Sequence, residues 1–139
     1  MVDQNCAYCV EGDLVAKFGI KICELDTSKV YLFKEQSHPG RCIVAHKKHV
    51  GDMNELTAEE RAAYFEDVAR VARAIMAAFH PDKVNYGAYG DTGHHLHFHL
   101  CPKYKDEFEW GGVFLMNPDK KYLTDAEYAE MIEKIKANM

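Results

Sequence analysis

Apolar residues recur at every second position over several short stretches of the chain, and at every third or fourth position over two longer ones. The first spacing belongs to strands with one face on a core, the second to amphipathic helices. FGIKICEL (18–25) and KVYLFKE (29–35) read as strands, and the turn-forming DTS between them predicts a hairpin. HPG (38–40) then turns the chain into a third strand, RCIVAH (41–46). TAEE (57–60) has the form of a capping box, and Tyr64, Val68, Val71, Ile75 and Phe79 make a stripe that ends before Pro81; a long helix with its stripe in the core follows. KVNYGAY (83–89) predicts a fourth strand, and the glycine-containing GDTG (90–93) leads to a fifth. There His95, His97 and His99 alternate with Leu96, Phe98 and Leu100, which predicts a half-buried strand with one imidazole face and one apolar face, punctuated by Gly93 and Pro102. A second capping box, TDAE (124–127), opens a C-terminal helix with Tyr128, Met131, Ile132 and Ile135 on its apolar side. This order predicts an α+β domain: a mostly antiparallel five-stranded sheet with one long central helix and a C-terminal helix packed on it.

At 139 residues the chain suits one domain, 1–139, with a core large enough to fold without disulfides. No apolar run approaches the roughly 20 residues of a membrane span. The opening MVDQNCAYCV lacks the basic-then-apolar pattern of a secretory leader, so a cytoplasmic location is expected. A formal charge of −5 argues against a general nucleic-acid binder, yet leaves room for a nucleotide site, which needs only local donors.

Five cysteines, an odd number, read as thiols or metal ligands rather than a disulfide framework. Cys6 and Cys9 in CAYC have the spacing that lets two thiolates reach one zinc ion, although one such pair is half a tetrahedral shell; a redox pair is the rival. Cys23, Cys42 and Cys101 read as small buried hydrophobes. In the histidine row, His95 and His99 would stand about 13 Å apart along a strand, so all three imidazoles cannot hold one metal ion. Neighbouring members can divide the labour, one serving a metal and the next serving chemistry.

HLHFHLC (95–101) fits the His-φ-His-φ-His-φ-φ signature, φ being apolar, of the histidine triad (HIT) family of nucleotide hydrolases and transferases. CAYC, PGRCIVAHKKHV, the long helix and NYGAYGDT stand around it in family order, and the chain resembles the Hint-like bacterial branch with a zinc site. The resemblance implies a HIT-like fold and a nucleophilic His97. Its Nδ1–H is held by a backbone carbonyl, and its Nε2 attacks the α-phosphorus of a nucleoside phosphoramidate or related nucleotide to give a nucleotidyl-histidine. It further implies that His99 donates to the phosphate and that Thr92 reaches phosphate and leaving group. Gly90, Asp91 and Gly93 would form the phosphate loop, with Asn85 on the phosphate side. Cys6, Cys9, His49 and His95 would bind one structural zinc ion in a closed Cys₂His₂ shell. Similar proteins are commonly homodimers joined sheet to sheet, for which Trp110 is the candidate contact; a buried core Trp in a monomer is the alternative.

Two positions depart from the family pattern. Pro39-Gly40-Arg41 stands where many relatives read Pro-Gly-His, so Arg41 is expected either to bind a longer phosphate chain or to lie on the surface. The acidic residue that holds ribose in many relatives falls on Phe33, with Glu35 nearby as a substitute. His94 is expected to have no catalytic role, and His38, His46 and His80 are read as surface residues before ligands. Diadenosine polyphosphate hydrolysis or phosphorolysis, and a zinc-stabilised nucleotide-binding protein without turnover, are the alternative functions.

Overall fold

The computed structural model describes residues 3–139; Met1 and Val2, which begin the segment read above for a leader, lie outside the described residues. Five strands, β1 (Gly19–Glu24), β2 (Ser28–Phe33), β3 (Cys42–His46), β4 (Lys83–Gly87) and β5 (His97–Lys103), form one sheet in the order β1-β2-β3-β5-β4, with every neighbouring pair antiparallel. Four helices accompany it: α1 (Ala7–Val10), α2 (Gly12–Ala16), α3 (Ala58–Phe79) and α4 (Asp125–Ala137). The predicted fold class, hairpin and both long helices are therefore present.

Each capping box closes as its sequence implies. Thr57 and Glu60 exchange side-chain and backbone bonds at the start of α3, and Thr124 and Glu127 do the same for α4. α3 ends where His80 adopts a left-handed conformation, its N–H reaching the Met76 carbonyl, one residue before Pro81. The α3 stripe, including Tyr64, Val68, Val71 and Ile75, buries itself against Leu96, Phe98 and Leu100, the apolar alternates of the histidine row.

The predicted fifth strand differs in two respects. It runs from His97 to Lys103, so His95 lies in the bend before it and Pro102 lies inside it. Pairing with β3 ends opposite Leu100, so the β3 side is open at Pro102 and a residue without an N–H is tolerated. Nor is the strand half-buried, for all seven residues are buried. The imidazole face is covered by α1 and by a second apolar cluster that joins Tyr8 and Val15 to Tyr31, Phe33, Ile43 and Ala45. Glu11, at the left-handed link between α1 and α2, pins this cover to the sheet by accepting from the Tyr31 hydroxyl at 2.8 Å and the Lys29 ammonium at 3.1 Å. β4 is two residues shorter than expected and forms a sheet edge. Among the described residues no helix is long and apolar enough to cross a membrane.

Candidate active site and metal centre

One helical turn separates Cys6, at the N-cap of α1, from Cys9, and that spacing sets both thiols on one side. Across from them, His49 follows the exit of β3, and the bend before β5 carries His95. Leu96 ties these last two segments together, its N–H reaching the Val50 carbonyl at 2.7 Å and its carbonyl accepting from the His46 N–H at 2.9 Å. His95 Nδ1 lies 3.3 Å from Cys6 Sγ, 3.7 Å from Cys9 Sγ and 3.1 Å from His49 Nδ1, and His49 Nδ1 lies 3.3 Å from Cys9 Sγ. All four ligand atoms fall within 4.8 Å of one another. Ligands around a tetrahedral zinc ion stand about 3.3–3.8 Å apart, from bonds of about 2.0–2.3 Å, so the four distances above match such an ion within a few tenths of an ångström and the remaining pairs lie within about an ångström of it. The tautomer agrees: His95 Nε2–H donates to the His46 carbonyl at 2.6 Å, which leaves Nδ1 as a lone pair facing the thiols. Burial pushes the pKa of His95 down to about 4, so the ring is neutral, as a ligand must be. The group could hold a metal ion. CAYC thus supplies two of the four ligand atoms of this candidate group.

The next imidazole is oriented by the one before it. His97 Nδ1–H donates to the His95 carbonyl at 2.7 Å, leaving Nε2 as the unprotonated nitrogen. Tyr8, between the two cysteines, lays its ring against His97 at 4.9 Å and His95 at 5.4 Å. Burial lowers the pKa of His97, opposed by the bond to His95, so the neutral ring dominates at neutral pH. His99 stands beyond His97, ring centroids 5.4 Å apart, between Phe33 and Phe114. Its pKa is pushed down to about 2, first by burial and then by the Arg41 charge.

Arg41 does not lie on the surface, which corrects that expectation, and it is not among the residues lining the cleft. It is fully buried, its guanidinium 4.3 Å from the centre of Phe33 and 4.8 Å from that of Phe114. It donates to the carbonyls of Leu115 (3.0 Å) and Met116 (2.9 Å) and to His99 Nδ1 (3.1 Å). Phe33, at the expected ribose position, thus serves as one side of this sandwich. Glu35 is occupied as well: it accepts from the Ser37 hydroxyl and from the amides of Ser37, Lys120 and Lys121.

A cleft of about 690 Å³ opens over His95 and His97, lined by Tyr8, Phe18, the 89–95 bend, His97 and residues 114–116; His99 is buried behind Phe114 and is not among its lining residues. Gly90, Asp91, Thr92 and Gly93 form one wall, together with the exposed His94. A side chain at Gly90 would press on the Gly93 carbonyl at 3.3 Å, and its φ of +134° suits glycine. Asn85 is not among the residues lining this cleft; it sits in β4 opposite Cys101 and lines a neighbouring groove with Tyr86, Val113 and Phe114. His38 and His46, read as surface residues, are buried. His38 Nε2 meets Glu109 at 2.6 Å, and His46 Nδ1 accepts from the Lys48 N–H at 2.9 Å, so each has a structural partner. His80 is exposed, as expected. Cys42 and Cys101 are buried, while Cys23 is half-buried. Trp110 is 40% exposed and is not a core residue.

Sequence reasoning missed Tyr8, Phe114 and the buried Lys103. Tyr8 could have been found, since the turn that aligns Cys6 and Cys9 carries it along. Residues 113–116 fall in an irregular stretch without periodicity, which gives no signal.

The HIT domain family model matches residues 19–106. The chain is 28% identical over 116 residues to the adenosine 5'-monophosphoramidase hnt1 of Schizosaccharomyces pombe, covering 77% of this chain and 80% of that one. Its fold is similar to that of a histidine triad protein from Sinorhizobium meliloti, with TM-score 0.84, 21% identity and coverage of 92% and 95% of the two chains. It is also similar to a zinc-bound histidine triad family protein from Mycobacterium smegmatis, with TM-score 0.68, 22% identity and coverage of 96% and 91%. A buried imidazole row of this spacing on this sheet, matched by the family model over more than half its length, makes the chain a member of the HIT domain family.

Proposed function

We propose that this protein is a nucleotidyl hydrolase or transferase that acts at the α-phosphorus of nucleoside phosphoramidates through His97. The observation that carries this reading is the 2.7 Å bond from His97 Nδ1–H to the His95 carbonyl, which leaves the Nε2 lone pair for a cleft large enough for a nucleotide. In the first step His97 Nε2 bonds to phosphorus as the phosphorus–nitrogen bond breaks, the departing nitrogen taking a proton from water in the open cleft and leaving as the amine. In the second, water or another acceptor takes the nucleotidyl group and restores the imidazole. His99 Nε2–H donates to a non-bridging phosphate oxygen, Thr92 stands on the leaving-group side, and the amides of the Gly90–Asp91–Thr92–Gly93 bend approach the phosphate. The similarity to a yeast monophosphoramidase supports the phosphoramidate class. Diadenosine polyphosphates fit less well, because the one guanidinium near the row is enclosed between two aromatic rings and bound to carbonyls.

Cys6, Cys9, His49 and His95 hold zinc in this reading, as a closed structural shell that ties α1 and Tyr8 to the nucleophile. The thiolates suit a reducing compartment, and we place the protein in the cytoplasm. Two copies join through the free edge of β4, where Tyr86, Tyr89 and Val113 are exposed. Trp110, exposed in the turn after β5, is the candidate contact. Neither nucleic acid nor membrane is a partner.

Turnover of adenosine 5'-phosphoramidate, with guanosine phosphoramidate and diadenosine tetraphosphate alongside, tests the reading. His97→Ala should lose about 10⁴-fold or more in rate, as when a covalent nucleophile is deleted. His99→Ala should lose only about 10²- to 10³-fold, as for one charge-stabilising donor. Near wild-type turnover in His97→Ala, or equal losses in both, would contradict it.

A further inference from the structure

A guanidinium can donate hydrogen bonds but cannot accept them. Arg41 therefore settles which nitrogen of His99 carries the proton: Nδ1, 3.1 Å from the guanidinium, must be the acceptor. We propose that Arg41 is a positioning residue that fixes His99 as the neutral Nε2–H tautomer, so that the last imidazole of the row always meets a substrate phosphate as a donor. The proposal rests on the functional reading above only for the phosphate, since the tautomer belongs to the free protein.

The surroundings hold the guanidinium to this task. The phenyl rings of Phe33 and Phe114 lie 4.3 and 4.8 Å from the guanidinium carbon, Nη1 donates to the Leu115 carbonyl, and Nη2 donates to the Met116 carbonyl as well as to His99. Nε is buried without a partner, so the group has not been placed to satisfy itself fully. The two nearest acidic groups, Glu35 and Glu109, are spent elsewhere. Glu35 accepts from Ser37, Lys120 and Lys121, and Glu109 accepts from the Leu115 amide and contacts His38. A cation without a bound carboxylate thus faces His99 from the residue just before β3. From β5 the neutral His97 faces it, and β2 and the 113–116 stretch contribute only Phe33 and Phe114. Nothing packed on His99 favours its charged form. Burial first and Arg41 second push its pKa down to about 2, so the donor tautomer persists through the physiological range.

A histidine at position 41 could accept as well as donate and would leave this choice open. Arginine removes the choice. A merely structural Arg41, one that only anchors the 113–116 stretch, would leave the protonation of His99 unchanged when removed.

Long-range ¹H–¹⁵N spectra of the imidazoles in the full-length protein, without substrate, read the tautomer directly. In the wild type, His99 Nδ1 should be an unprotonated acceptor and Nε2 protonated at pH 7, unchanged down to pH 5. In Arg41→Met, which removes the donor and the charge but keeps the burial, both tautomers should appear and the His99 pKa should rise from its wild-type value while staying below the ordinary 6.5. The variant's kcat with adenosine 5'-phosphoramidate should fall about 10-fold, with KM changed less than about 3-fold. A wild-type His99 that carries the Nδ1 proton, or charges above pH 5, would overturn the proposal even if Arg41→Met failed to fold. So would an Arg41→Met protein with the wild-type tautomer. Absence of turnover together with the expected spectra would overturn the functional reading and leave the positioning role standing.

Discussion

His97 and His99 are neutral for the same reason and useful for opposite ones. Burial disfavours the imidazolium in both, but the His95 carbonyl takes the Nδ1 proton of His97 and so frees Nε2 as a lone pair. Arg41 occupies Nδ1 of His99 and so leaves Nε2 as a donor. In the proposed function these two imidazoles of one strand take the two halves of nucleophilic phosphate chemistry from what touches their back nitrogens. The same burial makes stability depend on pH. A histidine whose pKa is depressed on folding costs nothing while both states are neutral, above the unfolded value of about 6.5, and destabilises as pH falls below it, because the unfolded chain takes up a proton first. The window for His99 runs from about 6.5 down toward about 2. Urea unfolding of wild type and of the non-titrating His99→Gln should therefore show the wild type losing about 1 kcal/mol more than the variant between pH 6 and pH 5. Equal losses would mean that His99 is already charged in the folded protein.

Among the elements, α3 and α4 are legible in the sequence because each pairs a capping box with a stripe at helical spacing, two independent signals that agree. The hairpin and β3 are legible for similar reasons. The ends of β5 are not, since Pro102 reads as a breaker until the end of β3 pairing is known. α1 and α2, of four and five residues, are too short to display a period, and without them the strand looks half-buried; Arg41 looks free because the stretch that covers it, 114–116, has no pattern of its own. The four candidate metal ligands are legible as types but come together only because α1 folds back across the sheet. The stretch from 105 to 116 is held by three buried groups rather than by a pattern of its own: Lys103 bonds the Glu109 and Gly112 carbonyls, His38 meets Glu109, and Arg41 holds Leu115 and Met116. A zinc ion would act at this same scale, tying α1 to the bend before β5. Protein purified without chelator should contain about one zinc per chain, lost in Cys9→Ser, with a drop in stability of about 3 kcal/mol or roughly 10 °C in Tm. Elemental analysis and thermal unfolding check it; zinc well below one per chain and unchanged in the variant would remove the assignment.

For the whole molecule, the sheet has two faces with separate duties. One carries α3 and the large apolar cluster, which gives the chain its stability; the other carries the imidazole row under a thin cover of α1, α2 and residues 114–116. The sheet ends at β4 with exposed aromatic residues beside it, the kind of edge that a second copy would cover. Light scattering at low micromolar concentration should give about twice the 15.9 kDa chain mass, and a clean monomer mass would refute the dimer. All of these features serve one claim, that His97 Nε2 forms a bond to phosphorus. Acid-labile phosphoramidate linkages survive neutral or alkaline quenching, so the intermediate can be sought directly. Wild-type protein mixed in excess with adenosine 5'-phosphoramidate, quenched within a single turnover and digested, should yield one peptide heavier by an adenylyl group at His97, absent in His97→Ala. An adduct on any other residue, or turnover at full rate with no adduct, would contradict the mechanism.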